Sequence, residues 1–229
     1  MSNLQPVIAK QPPRLICREL PPFSADNLEN IRAAFKNAPS CTTQQAWLKK
    51  PEPDFTPATI RVGWRESSLL IFAELEDVDI FSNATQLNQR LWELGDSFEI
   101  FLRPDGQPSY AEFQVAPNNQ RLQLQFANAE ALKHSRECGS LDSVLIPGAA
   151  FHSVVWIPAN ARRWFVYAEI LARSVPGAKN TLPGTQWHFS FSRYDYTRGR
   201  AEPVISSTSP HPKADFHHQS DWGTLVFQP

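Results

Sequence analysis

Apolar and polar residues alternate along much of this 229-residue chain, and a period of two predicts strands. After the proline-rich bridge KKPEPDFTP, Ile60, Val62 and Trp64 share one face, and Leu69, Ile71, Ala73 and Leu75 form the next; the two runs read as a hairpin. The alternation continues through residues 97–102, 110–115 and 121–126, with DGQPS and APNN supplying turn residues between them, so three successive antiparallel strands are expected. Further strands are predicted over 14–19, 151–157, 164–172, 187–194 and 222–227. Helical spacing appears at Leu28, Ile31 and Phe35, which predicts a helix over 24–35 capped by Ser24, and a second, short helix is expected around 129–134.

Many short strands with apolar faces and few helices are best buried as two packed sheets, so the expected fold is all-β: an antiparallel β-sandwich or jelly roll with one or two short peripheral helices. Composition agrees, because 20 prolines against 9 glycines, with 15 Phe, 7 Trp and 4 Tyr, suit short elements joined by stiff turns. With 41% hydrophobic residues the chain can bury a substantial core as one domain, placed at 14–229 behind a loosely ordered arm over 1–13 that carries Pro6, Pro12 and Pro13. The start lacks the apolar stretch of a signal peptide and no run is long enough to cross a bilayer, which predicts a soluble, cytoplasmic chain without a membrane partner. A net charge of −1 offers no footprint for nucleic acid. Cys17, Cys41 and Cys138 show neither metal-ligand spacing nor a disulfide pattern, and read as reduced thiols.

The sequence carries no phosphate-binding or dinucleotide glycine loop, no HExxH and no GxSxG, which disfavours the common cofactor enzymes and hydrolases. The segment LWELGDSFEIFL sets Trp92 before a turn and Glu99 on the strand behind it. A broad apolar ring beside a carboxylate suits a sugar, whose CH face packs on the ring while its hydroxyls donate to the carboxylate. Trp92 beside Leu91 and Leu94 reads equally as a core residue, and its place outside the alternating strand is what favours a projecting ring. Asp96 and Glu99 are the candidate pair for glycoside hydrolysis, but three positions apart in an extended chain they point to opposite sides, and Asp96 is expected to bond local backbone amides in the turn. For metals, Asp215 and His217 would share a face if extended, yet two ligands make no site. Calcium as a structural ion on Asp77, Asp79 or Asp105 is the remaining cofactor expectation.

In order along the chain, WELGDSFEIFL, YAEFQVAPNN, WHFSFSRYD and FHHQSDWGTLVF resemble the family 9 carbohydrate-binding modules and their stand-alone, DOMON-like relatives, over roughly residues 60–227. The resemblance implies a β-sandwich that binds a mono- or oligosaccharide without catalysis. It further implies that the sugar is held between two aromatic rings, here Trp92 and Phe216, with Glu99 and Gln114 as polar ligands. Relative to the xylanase-associated type, this chain has one more residue between the tryptophan and the glutamate, Phe in place of the second tryptophan, and Gln114 where that type has arginine. Two other readings stand beside it. One is a haem-binding relative, for which Met1 is the sole methionine and His152, His188 and His217 are the candidate ligands. The other is an interaction or scaffold sandwich in which Trp92 and Phe216 pack inward or form a partner patch.

Overall fold

The structure, a computed structural model, describes residues 11–160 and 162–229. Residues 1–10 of the expected arm lie outside the described residues. Along the chain run β1 (Arg14–Arg18), α1 (Leu28–Ala34), β2 (Ser40–Thr42), β3 (Ala58–Arg65), β4 (Ser68–Glu76), β5 (Ser97–Pro104), β6 (Tyr110–Val115) and β7 (Arg121–Phe126). Then follow α2 (Ala129–Cys138), β8 (Phe151–Trp156), β9 (Arg163–Leu171), β10 (Gln186–Asp195), β11 (Val204–Ser207) and β12 (Gly223–Gln228). They form an antiparallel β-sandwich. One sheet is ordered β1-β12-β10-β5-β6-β7, with β11 also paired to β10, and the other β2-β3-β4-β9-β8. Among the described strands, β1 and β12 pair in parallel and the other pairs are antiparallel.

The alternation of the sequence decides which side chains meet between the sheets: Val62, Ile71 and Val166 from one, Ile100, Phe113 and Phe191 from the other. Both sheets are also covered on their outer faces, so that Ser97–Leu102 and Tyr110–Val115 are buried on either side. On the five-stranded sheet, Ile31 and Phe35 of α1 cover Phe72 and Tyr167. On the seven-stranded sheet a second apolar cluster gathers Leu91, Phe101, Tyr110, Leu124, Phe126, Phe216 and Trp222. The lids over that face are α2 and the loops around residues 84–94 and 208–222.

The helix expected over 24–35 starts later than its spacing suggests. Asn27, not Ser24, is the cap: it is extended at φ −145° and its side chain accepts from Asn30 N. The second helix runs to Cys138, beyond the expected 134, because Gly139 in the left-handed region ends it. Two short strands, β2 and β11, were not foreseen, since three or four residues carry no legible period. The last strand starts at Gly223 rather than Trp222. A Cβ at Gly223 would lie 2.5 Å from Pro13 O, so only glycine lets β12 lie this close to the residues leading into β1.

Candidate functional site

The turn ahead of β5 is built by a short 3₁₀ helix, Leu91–Glu93, followed by Gly95 at φ +136°. A side chain at Gly95 would strike Phe81 O at 2.6 Å. This turn fixes two aspects of the site. Leu91 is buried in the outer apolar cluster, which leaves the half-buried Trp92 ring at its edge. Asp96 is carried to the other side, where its carboxylate accepts from Phe81 N and Tyr196 N. Those are backbone amides, as expected of a turn aspartate, but they come from distant segments rather than from the turn itself. Asp96 and Glu99 therefore leave β5 on opposite faces, as their spacing predicts.

Asp96 belongs to a buried structural cluster. Arg193 Nη2 pairs with Asp77 at 2.8 Å and with Asp195 at 3.1 Å, and its Nη1 donates to Glu76 O. Burial, with Asp77 nearby, pushes the Asp96 carboxyl up to about 8, while Asp195 rises to about 6. Glu169 stands outside this cluster and accepts from Ser68 and Tyr167. Asp79 is engaged by Arg198 and Asp105 by His188, so Asp77, Asp79 and Asp105, each considered as a calcium ligand, have three different side-chain partners.

On the outer face of the seven-stranded sheet, β5 and β6 pair so that Glu99 lies opposite Gln114 and Phe101 opposite Glu112. Period two puts Glu99, Glu112 and Gln114 on the same face, and Gln114 Nε2 donates to both carboxylates, at 2.9 Å to Glu99 Oε1 and 2.5 Å to Glu112 Oε1. Glu99 and Glu112 form the polar floor of a cavity of about 340 Å³. Phe101, Leu124 and Phe126 form its apolar floor, Trp92 and Phe216 stand on its walls, and Leu132 and Arg136 of α2 close one side. Exposed Glu93 and half-buried Trp92 lie at its mouth.

Each wall is held from behind. Tyr196 donates its hydroxyl to Trp92 O at 2.6 Å, and Arg90 pairs with Glu93 while also donating to Gly139 O at the end of α2. Phe216 meets Tyr194 edge-on at 5.8 Å and Trp47 at 6.2 Å, and Trp222 Nε1 donates to its carbonyl at 2.9 Å. The loop carrying Phe216 is pinned by Asp221, which accepts from His211 at 3.1 Å and His218 at 2.6 Å.

The electrostatics of the floor are unusual. Glu99 and Glu112 are each 3% exposed, and burial raises both carboxyls, Glu112 to about 7 and Glu99 well above its ordinary range with Glu112 adding repulsion. His217, 3.7 Å from Glu112, does not neutralise it: burial first, then Arg136, lowers the imidazole to about 3. Neutral His217 bonds the Tyr110 hydroxyl through Nδ1 at 2.8 Å; with Tyr110 donating, Nε2 carries the ring proton and faces Glu112.

Of the residues singled out in the sequence, Trp92, Glu99 and Phe216 line one cavity. Gln114 does not: it is fully buried and spends both amide hydrogens on the two carboxylates, so it holds the floor instead of reaching a ligand. Sequence reasoning missed Glu112, although it lies two residues before Gln114 in YAEFQV and so on the same face. It also missed α2 as a wall. Asp215 and His217, which would share a face if extended, lie in a loop where Asp215 faces Arg136 while the His217 ring turns to Tyr110. Nor do the three histidines considered for haem converge: His188 bonds Asp105, His217 bonds Tyr110, and His152 is exposed on β8 of the other sheet. Among the described residues, the metal-compatible groups are His211, His218 and Asp221, and Asp77, Asp96 and Asp195. No described helix is long and apolar enough to cross a membrane.

The architecture is that of the family 9 carbohydrate-binding modules. A candidate carbohydrate-binding protein of Bacteroides uniformis superposes with a TM-score of 0.70 at 16% identity, covering 94% of this chain and 99% of that one. A family 9 carbohydrate-binding module of Caldicellulosiruptor kristjanssonii solved with cellotriose gives 0.61 at 16% identity, covering 94% and 93%. The structure with glucose gives 0.59 at 16% identity, covering 93% and 94%. No protein-family model matches the sequence, and no curated protein does.

Proposed function

We propose that the cavity binds a mono- or oligosaccharide end, stacked against Trp92 and Phe216, with Glu99 and Glu112 accepting hydrogen bonds from its hydroxyls, and that it does so without catalysis. The observation that carries this reading is that Trp92, Phe216 and Glu99, far apart in sequence, line one cavity. At about 340 Å³ the cavity lies in the lower range of small-ligand sites and suits one sugar ring. Similarity in fold to modules solved with cellotriose and glucose supports a sugar as the ligand class.

The geometry of the two carboxylates supports a reading without turnover. A glycosidase sets its acid and its base or nucleophile on either side of the scissile bond. Glu99 and Glu112 instead lie side by side on one floor, and the amide of Gln114 fills the gap between them. Tryptophan emission titrated with cellobiose and xylobiose tests the reading: a saturable change that disappears in Trp92→Phe supports stacking on this ring, and an unchanged spectrum with every sugar counts against it.

One observation favours the scaffold alternative, namely that Phe216 is only 6% exposed and packs on Tyr194 and Trp47. On that reading the cavity takes no sugar, and neither the parent protein nor a folded Phe216→Leu variant, which keeps an apolar side chain there, responds to one.

A further inference from the structure

Resting on the sugar-site reading, the floor of the cavity narrows the ligand class. Glu99 and Glu112 are both nine-tenths buried or more, and the cavity is the side from which they can be reached. Among the described residues neither has a lysine or arginine within ion-pairing distance; Glu112 has only neutral His217 at 3.7 Å. Neither arginine at the rim pairs with the floor: Arg90 pairs with Glu93, and Arg136 faces Asp215 at 3.9 Å, its charge acting on Glu112 only from a distance. Tyr110 and Tyr194, the other titratable groups against the floor, remain neutral phenols because burial raises them. Gln114 gives each carboxylate one hydrogen bond and no charge. Glu99 Oε2 has no partner at all among the described residues, in a side chain that lines the cavity.

Two buried carboxylates without a directly paired cation are costly, and a hydroxyl relieves this by only one hydrogen bond. An ammonium group brings a full charge and three donors, enough to engage both carboxylates. The apolar side of the cavity suits it as well, since Phe101, Tyr194 and Trp92 offer aromatic faces to a cation. We propose that this cavity selects a sugar bearing a free amine, with the protonated amine seated on the cavity side of Glu99 and Glu112, within reach of both.

Calorimetric titration of the full chain near neutral pH with glucosamine, glucose and N-acetylglucosamine tests it. Glucosamine is expected to bind about tenfold or more tightly than either neutral sugar, because acetylation removes the charge and two of the donors. Glu112→Gln, with Glu99→Gln as a second variant in case the first fails to fold, is expected to abolish the preference. Glucose bound as well as or better than glucosamine overturns the amine proposal and leaves the sugar site standing; no binding of any of the three overturns the amine proposal, and the sugar site falls with it if xylose, cellobiose and xylobiose fail as well. A preference for glucosamine that survives both glutamine variants also overturns the proposal, because the amine is then recognised elsewhere.

Discussion

Glu99 and Glu112 leave neighbouring antiparallel strands and hang from the same side-chain amide, at 2.9 and 2.5 Å from Gln114 Nε2. Burial raises both carboxyls, and that sets the sign of a stability effect. A carboxyl raised in the folded state binds more protons than in the unfolded chain, so its contribution is present in full below the unfolded value of about 4.3 and is lost as pH rises through the folded one. For Glu112 that window runs from about 4.5 to about 7. Buried His217, lowered to about 3, acts the opposite way below its ordinary value of 6.5, and so comparison with a variant is needed to isolate the pair. Urea denaturation at pH 5 and pH 8 is expected to show Glu112→Gln gaining on the parent protein by roughly 1–3 kcal/mol at the higher pH. An equal difference at both values would mean that Glu112 is ionised throughout.

The two rings should separate binding from folding. Trp92 is half-buried at the cavity mouth, whereas Phe216 is wedged between Tyr194 and Trp47. Trp92→Ala is expected to weaken sugar binding about tenfold and to cost little stability, while Phe216→Ala should cost on the order of 3 kcal/mol as well. Affinity and denaturation midpoints measured on the same preparations distinguish the two.

Arg193 has a structural role, and its loss should show in stability alone. Replacing it with alanine strands Asp77 and Asp195 beside Asp96 in a buried setting, and a cost of about 3–5 kcal/mol is expected by denaturation. Arg193→Lys should recover only part of this, because one ammonium cannot reproduce the fork that spans Asp77, Asp195 and Glu76 O.

Gly95 connects the turn to the site. At φ +136°, and with Phe81 O where a Cβ would be, Gly95→Ala should distort the turn that presents Trp92. Sugar affinity is expected to fall about as much as in Trp92→Ala, with a stability loss of about 1–3 kcal/mol that the Trp92 variant lacks.

Much of this was legible in the sequence, for identifiable reasons. Alternation located the long strands because buried faces at period two leave a strong signal, as in Ile60 to Trp64 and Leu69 to Leu75. The same rule put Trp92 outside its strand and Glu99 on it. What alternation cannot reveal is register between strands, and register is what brings Glu112 diagonally beside Glu99 and turns Gln114 from a ligand contact into a tether. Residues 127–164 contribute little to the family resemblance, yet they supply α2 and with it a wall of the cavity. The aspartates were visible singly, but their pairing with Arg193, Arg198 and His188 depends on contacts across more than 80 residues of chain.

The central claim is that Trp92, Phe216 and the carboxylate floor form a sugar site, and calorimetry on the parent protein and Trp92→Ala tests it most directly. Titration with glucose, xylose, cellobiose, xylobiose and glucosamine is expected to give saturable binding for at least one sugar, weakened about tenfold by the substitution. No heat of binding from any of them, or identical affinity in the parent and in Trp92→Ala, would contradict the account.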